Sequence, residues 1–239
     1  MAKPAYKRIL IKLSGETLRG GQKFGVEHKA CQKIAVLIKE VYDLGVEIGI
    51  VVGGGNIFRG NQAKAFGFAR TPADHIGMLA TTINGLILQQ CLASIGVDAH
   101  IMSALNTDSI VELYHWDLAM RLLGEKAVVI FVGGTGNPYF TTDTAAALRA
   151  SEIEAEVLLK ATKVDGIYDK DPVRYRAAKK FSRLSYSDVF AQKLNVMDAT
   201  AIALCRESRI PIHVLNLFKK GALLKAVMQK QGGSLITGE

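Results

Sequence analysis

Cysteine is scarce in this chain, and the three present, Cys31, Cys91 and Cys205, are widely spaced and odd in number. That pattern excludes a disulfide framework, offers no zinc-ligand spacing and fits a reducing compartment such as the cytoplasm. An uninterrupted apolar run of the roughly 18 residues that cross a bilayer is also missing. The start, a basic segment through Arg8 that leads into a short apolar run and Lys12, does not read as a signal peptide. With five prolines in 239 residues and no tract rich in Pro, Gly and Ser, nothing marks a linker, so one domain over residues 1–239 is expected, as two lobes sharing one sheet. Acidic residues are in deficit, 22 Asp and Glu against 30 Lys and Arg, for a net charge of +8. An excess of cations suits phosphate-bearing partners. The basic groups are scattered, however, and the local groupings at 174–180 and Lys219-Lys220 are short, which favours a solvated face over a nucleic-acid site. The five histidines are dispersed and form no Ser/His/Asp arrangement, and the single Trp116, with Leu118, Met120 and Leu122, reads as helix packing.

What the chain does have is alternation. Short apolar runs at Arg8–Leu13, Val46–Val52, Val97–Ile101, Ala127–Val132, Val157–Leu159 and Pro211–Leu215 read as strands, most of them apolar throughout as doubly covered strands are. Between them, Ile34, Leu37, Ile38, Val41 and Leu44 recur at helical spacing, with Gly45 placed to close that helix. Further helices are expected over Ala73–Ser94, Asp143–Ala150, Ala199–Glu207 and Gly221–Gln229, and a loop of little regular structure over Lys163–Ser185. The pattern predicts an α/β protein, a three-layer α/β/α sandwich with a mainly parallel central sheet.

Three glycine-bearing turns follow predicted strands, where open α/β sheets bind ligands. The first, Lys12-Leu13-Ser14-Gly15-Glu16, combines backbone N–H groups that a small residue leaves accessible with a compact cation. It lacks the Walker A spacing. The second, Val52–Gly60, carries Gly53-Gly54-Gly55, a row of N–H donors able to cradle an anion, and Arg59, a fork suited to phosphate oxygens. The third, Val132–Asp143, joins glycines, hydroxyls, aromatic rings and a carboxylate, enough groups to hold a nucleotide. Asp143 reads equally as a helix N-cap or as the group that orients a catalytic lysine, and Asp74, just after Pro72, as a cap or a ribose-hydroxyl acceptor. The segment Ala161–Pro172 places a Lys, a Tyr and several carboxylates after a strand, a set that suits adenosine or an ordinary turn.

Taken in order and spacing, Lys12–Glu16, Gly53–Arg59, Asp74–Thr81, Gly134–Asp143 and Ala161–Asp171 resemble the bacterial uridylate kinases of the amino-acid kinase family along nearly the whole chain. The resemblance implies a magnesium-dependent homohexamer that phosphorylates UMP with ATP on the route to UTP and CTP. By residue it places ATP phosphates against Lys12, Leu13, Ser14 and Gly15, with Gly55 and Arg59 completing the cradle, and Thr162, Tyr168 and Asp171 at the adenosine end. For UMP it places Gly54 near the phosphate, Asp74 at the ribose, and Thr135, Gly136, Asn137, Pro138, Tyr139, Phe140, Thr141 and Thr142 around the nucleotide. Lys12, Asp143 and Arg59 are the catalytic set, no protein side chain is assigned to the metal, and the role of Asp198 stays open. GTP and UTP are candidate effectors, although Lys23 stands where the loop linked to GTP activation has a glycine in many relatives. Two rival readings are a carboxylate kinase on the same fold and a nucleic-acid-binding regulator.

Overall fold

The computed structural model describes residues 3–59, 63, 65–107 and 109–238; Met1, Ala2 and Gly60, the last residue of the second glycine turn, lie outside the described residues. Its centre is a nine-stranded sheet built from β1 (Arg8–Leu13), β2 (Glu47–Val52), β3 (Ala99–Ser103), β4 (Glu112–Leu113), β5 (Val128–Val132), β6 (Val157–Thr162), β9 (Arg183–Ser185), β10 (Ile212–Asn216) and β11 (Ser234–Thr237). The spatial order is β4-β3-β5-β2-β1-β6-β10-β11-β9. Pairing is parallel except between β10 and β11.

Side chains alternate across β1. Ile9, Ile11 and Leu13 enter one core with α2 (His28–Tyr42), α3 (Arg70–Ala93) and α8 (Ala222–Gln229). Leu10 enters the opposite core with α4 (Trp116–Gly124), α5 (Thr142–Glu152) and α7 (Ala199–Glu207). The expected α/β/α layering and mainly parallel sheet are therefore present, and the period of two points Lys12, two residues past Leu10, at the α5 side. Each fully buried Leu or Ile contributes about 1.5–3 kcal/mol, which is how two continuous cores hold a sheet this wide.

Several boundaries differ from the sequence-based expectation. Helix α2 is capped by Asp43, and Gly45, at φ +75°, makes the left-handed turn two residues later. Strand β3 begins at Ala99, not Val97, because the Val97 N–H is spent on the Leu92 carbonyl that ends α3, at 3.1 Å. Helix α3 begins at Arg70, not Ala73: Pro72 sits in the first turn, where its missing N–H costs nothing. The expected loop at 163–185 contains a two-stranded ribbon, β7 (Ile167–Tyr168) with β8 (Lys180–Phe181), followed by β9. Short helices α1 (Gly15–Arg19) and α6 (Tyr186–Ala191) were not foreseen.

By length and composition α3 meets the requirement for crossing a membrane, which a search for an uninterrupted apolar run does not detect. Here it lies on the sheet, with Leu88 and Leu92 in the core and Asn84 buried and hydrogen bonded to the strand-end turns.

Two buried ionisable groups make the fold acid-sensitive. Glu47, 2% exposed, is paired in register with Arg8 at 2.7 Å and reaches Lys126 at 2.7 Å. Burial pushes its carboxyl up, but the bonds from Lys126 and Arg8 outweigh that and hold it below its usual 4.5. His213 is buried on β10 against the Gly232 carbonyl, and burial lowers its pKa from the usual 6.5. In both cases the unfolded chain binds the proton first as pH falls, so stability declines. Thermal melts are expected to fall below about pH 6.5 through His213 and more steeply below about 4.5 through Glu47. His213→Gln should abolish the first stage, and an unchanged profile in that variant would contradict the assignment.

Candidate active site

The sheet order explains how distant segments meet. Strands β5, β2, β1 and β6 are consecutive neighbours running the same way, so the turns after Val132, Val52, Leu13 and Thr162 share one edge. Leu13 is buried at the end of β1 and receives the Gly53 N–H on its carbonyl at 2.9 Å. Ser14 caps α1, accepting from the Glu16 N–H at 3.3 Å.

The glycines of the first two turns have different reasons. A side chain at Gly15 would collide with Asn56 and the Gly53 carbonyl, and one at Gly54 would meet the Gly77 carbonyl and Ala80 of α3. Both are required by close packing of turn on turn and turn on helix. At Gly55 a side chain would meet nothing within 4 Å. There the missing side chain leaves open room beside the cradle. Beneath it, buried Asn84 donates to the Gly53 carbonyl at 2.7 Å and exchanges hydrogen bonds with Asn56, whose amide also reaches the Gly25 carbonyl at 2.8 Å. Asn84, unmarked by sequence reasoning, thus fixes the whole turn from the core. Arg59 donates to the Gly55 carbonyl at 2.7 Å and pairs with Glu16, which also lies 3.5 Å from Lys163.

The electrostatic centre is a Lys–Asp–Lys cluster. The Nζ of Lys12 lies 2.8 Å from Asp143 Oδ1, and the Nζ of Lys160 lies 2.8 Å from Asp143 Oδ2 and donates also to the Val196 carbonyl. Lys12 and Lys160 are register partners on β1 and β6, so both project from the same face onto the start of α5. Burial raises the Asp143 carboxyl, but the two ammoniums outweigh it and hold it below the usual carboxylate range. Burial draws Lys160 below the usual lysine value, with Lys12 adding to the fall against the pull of Asp143. Asp143 is not the helix cap; that place is taken by Thr141, whose hydroxyl accepts from Asp143 and Thr144 N–H groups. Asp198 caps α7, accepting from Ala201 N–H at 2.9 Å, and receives the hydroxyls of Thr141 and Thr144, so it ties α7 to the start of α5.

A cavity of about 640 Å³ adjoins this cluster, of a size that suits a nucleotide. Of the expected acceptor residues, Gly54, Asp74, Thr135, Asn137, Phe140, Thr141 and Thr142 line it, as do Arg70, Phe68, Met78 and Thr81, which sequence reasoning left out. Gly136, Pro138 and Tyr139 belong to the same turn but not to the lining. Gly133, Gly134 and Gly136 have φ of +75°, +61° and +81°, and the Gly133 N–H is held by Thr81 at 2.8 Å. Asp74 stands one turn inside α3 and is no cap, since the helix starts at Arg70. At the other end, Thr162 donates to the Val164 carbonyl at 2.6 Å, Tyr168 donates to Asp165 at 2.6 Å, and Asp171 organises a turn by accepting from Val173 N–H at 2.9 Å. No group of three or more His, Cys, Asp or Glu suited to a metal occurs among the described residues.

An α/β/α sandwich with packed glycine turns after its strands, a buried Lys–Asp–Lys cluster and a nucleotide-sized cavity has the make-up of a phosphoryl-transfer enzyme. Comparison with known proteins agrees. Residues 7–216 match the amino acid kinase family. A uridylate kinase of Protochlamydia amoebophila is 61% identical over 211 residues, covering 88% of this chain and 84% of that protein. A uridylate kinase of Actinobacillus pleuropneumoniae is 48% identical, covering 99% of this chain and 100% of that protein. The solved structure of a UMP kinase from Bacillus anthracis superposes with a TM-score of 0.95 at 38% identity, covering 98% of this chain and 97% of that one. The chain belongs to the amino acid kinase family.

Proposed function

We propose that the protein is a uridylate kinase, which moves the γ-phosphoryl group of ATP onto UMP to give ADP and UDP in pyrimidine nucleotide synthesis. The observation that carries this reading is the Lys12–Asp143–Lys160 cluster, in which Lys12 leads into the first glycine turn and Asp143 follows Thr142 of the cavity lining. The similarity to uridylate kinases over most of the chain supports the choice of acceptor. Lys12, Leu13, Ser14, Gly15, Gly55 and Arg59 take the ATP phosphates, Thr162, Tyr168 and Asp171 the adenosine, and Gly54, Asp74 and residues 135–142 the UMP.

A UMP phosphate oxygen is already a nucleophile, so the reaction needs no covalent enzyme intermediate and little proton removal. What it needs is charge in fixed places. Asp143 is ionised and both its oxygens are engaged by ammoniums, which suits it to hold two cations and not to serve as a base. Lys12 faces the transferring group, and Lys160 shares the load of charge on the same side. Magnesium, carried on the ATP phosphates, would neutralise their charge. Mg²⁺ is commonly held by phosphate oxygens and water with few protein carboxylates. The reading extends to one domain of two lobes and a homohexamer in the cytoplasm, with GTP and UTP as candidate effectors.

The similarity to uridylate kinases over most of the chain disfavours the acidic acceptors of a carboxylate kinase. ADP release, followed with UMP, glutamate, N-acetylglutamate and aspartate in turn, is expected with UMP alone. Turnover on an acidic amino acid without turnover on UMP would overturn the proposal.

A further inference from the structure

We propose that Arg70 is a positioning residue for the acceptor nucleotide, acting by locking Asp74 and the Tyr139 backbone into one clamp on the cavity wall. The inference rests on the reading of that cavity as the UMP site. Arg70 and Asp74 are one turn apart on α3, and Arg70 Nε donates to Asp74 Oδ2 at 2.8 Å. The Tyr139 N–H, from the turn after β5, donates to the same oxygen at 2.8 Å. The Arg70 guanidinium also lies over the Tyr139 ring, 5.2 Å from its centroid.

Three consequences follow from this geometry. First, Oδ2 is committed to two donors, and among the described residues none donates to Oδ1, so a single carboxylate oxygen is presented to a ligand in one orientation. Second, the pairing offsets the negative charge of Asp74, which standing alone would repel a nucleoside monophosphate. Third, Tyr139 has φ +73°, a conformation that a bulky side chain avoids unless its surroundings hold it there. The hydrogen bond to Asp74 and the cation–π contact with Arg70 both hold it there. Arg70 therefore couples α3 to the turn that wraps the acceptor, without needing to touch the nucleotide itself.

The test is a double-mutant cycle read as KM for UMP, KM for ATP and kcat. Arg70→Ala is expected to raise the UMP KM by about ten- to a hundredfold, the scale of one lost charge-assisted contact. The ATP KM should stay within about twofold, and kcat should fall less than the UMP KM rises. Arg70→Lys keeps an ion pair but not the planar stack and should recover part of the loss. In an Asp74→Ala background, Arg70→Ala should add much less than it costs in the wild type, because most of its effect passes through Asp74 and the stack on Tyr139 alone remains. An additive effect would show that Arg70 contacts the substrate directly and would overturn the proposal, as would an unchanged UMP KM in Arg70→Ala. A rise in both Michaelis constants would mark general damage and also count against it. Failure of the underlying reading looks different: wild-type protein would then turn over no UMP at all.

Discussion

CMP is expected to be phosphorylated with a kcat/KM about 10⁴-fold below that for UMP, the scale reached when hydrogen bonds define a pocket. Uracil and cytosine have nearly the same shape, so discrimination has to come from donor and acceptor character along one edge. The turn after β5 supplies polar groups that are already engaged with each other. Thr135 Oγ1 accepts from the Asn137 N–H at 3.3 Å and lies 3.2 Å from the Asn137 carbonyl, and the Asn137 side-chain nitrogen is 3.4 Å from the Thr135 carbonyl. Asn137 lines the cavity, and its amide oxygen is an acceptor for the N3–H of uracil, a donor that the bare N3 of cytosine lacks. A turn whose glycines are fixed in left-handed conformations and tied to Thr81 has little freedom to rearrange for the wrong base. Competing UMP and CMP in one assay would measure the ratio, and comparable kcat/KM values would defeat the specificity argument.

Lys12→Ala is expected to lower kcat by about 10²–10³, the usual loss for one preorganised charge at a transition state, with a much smaller change in either KM. Lys12 is only 12% exposed, and its ammonium is held by a carboxylate that is itself tied to Lys160 and the start of α5. The charge is therefore aimed before substrate arrives, and its benefit falls on the step in which negative charge shifts between oxygens. Among the described residues the variant leaves Asp143 with Lys160 as its one remaining ion-pair partner, so a fall in thermal stability should accompany the fall in rate. A weaker UMP KM at unchanged kcat would contradict the role.

The site was legible in the sequence where local chemistry sufficed. Lys12 ends a short apolar run, the glycine turns follow strands, and Asp143 opens a helix, so each could be found without knowing the fold. Lys160 was missed because the expected strand stopped at Leu159. Its meaning depends on a register between β1 and β6, set by packing of segments about 150 residues apart. Asn84 reads as one polar residue in an apolar helix, and only the approach of α3 to the glycine turns gives it partners. Arg70 was missed because the expected helix began at Ala73, whereas Pro72 occupies a first turn that starts at Arg70. The same boundary rules out the cap reading for Asp74, as Thr141 does for Asp143. Strands of two residues in the 163–185 segment are too short to carry a period, so the ribbon emerges only from pairing.

Phosphorus NMR of one mixture of the protein with ATP, UMP and magnesium tests the central claim most directly. Loss of the ATP γ resonance should be matched one for one by the appearance of UDP, with no inorganic phosphate released. Accumulation of ADP with inorganic phosphate, or a spectrum unchanged by UMP, would contradict direct transfer to UMP.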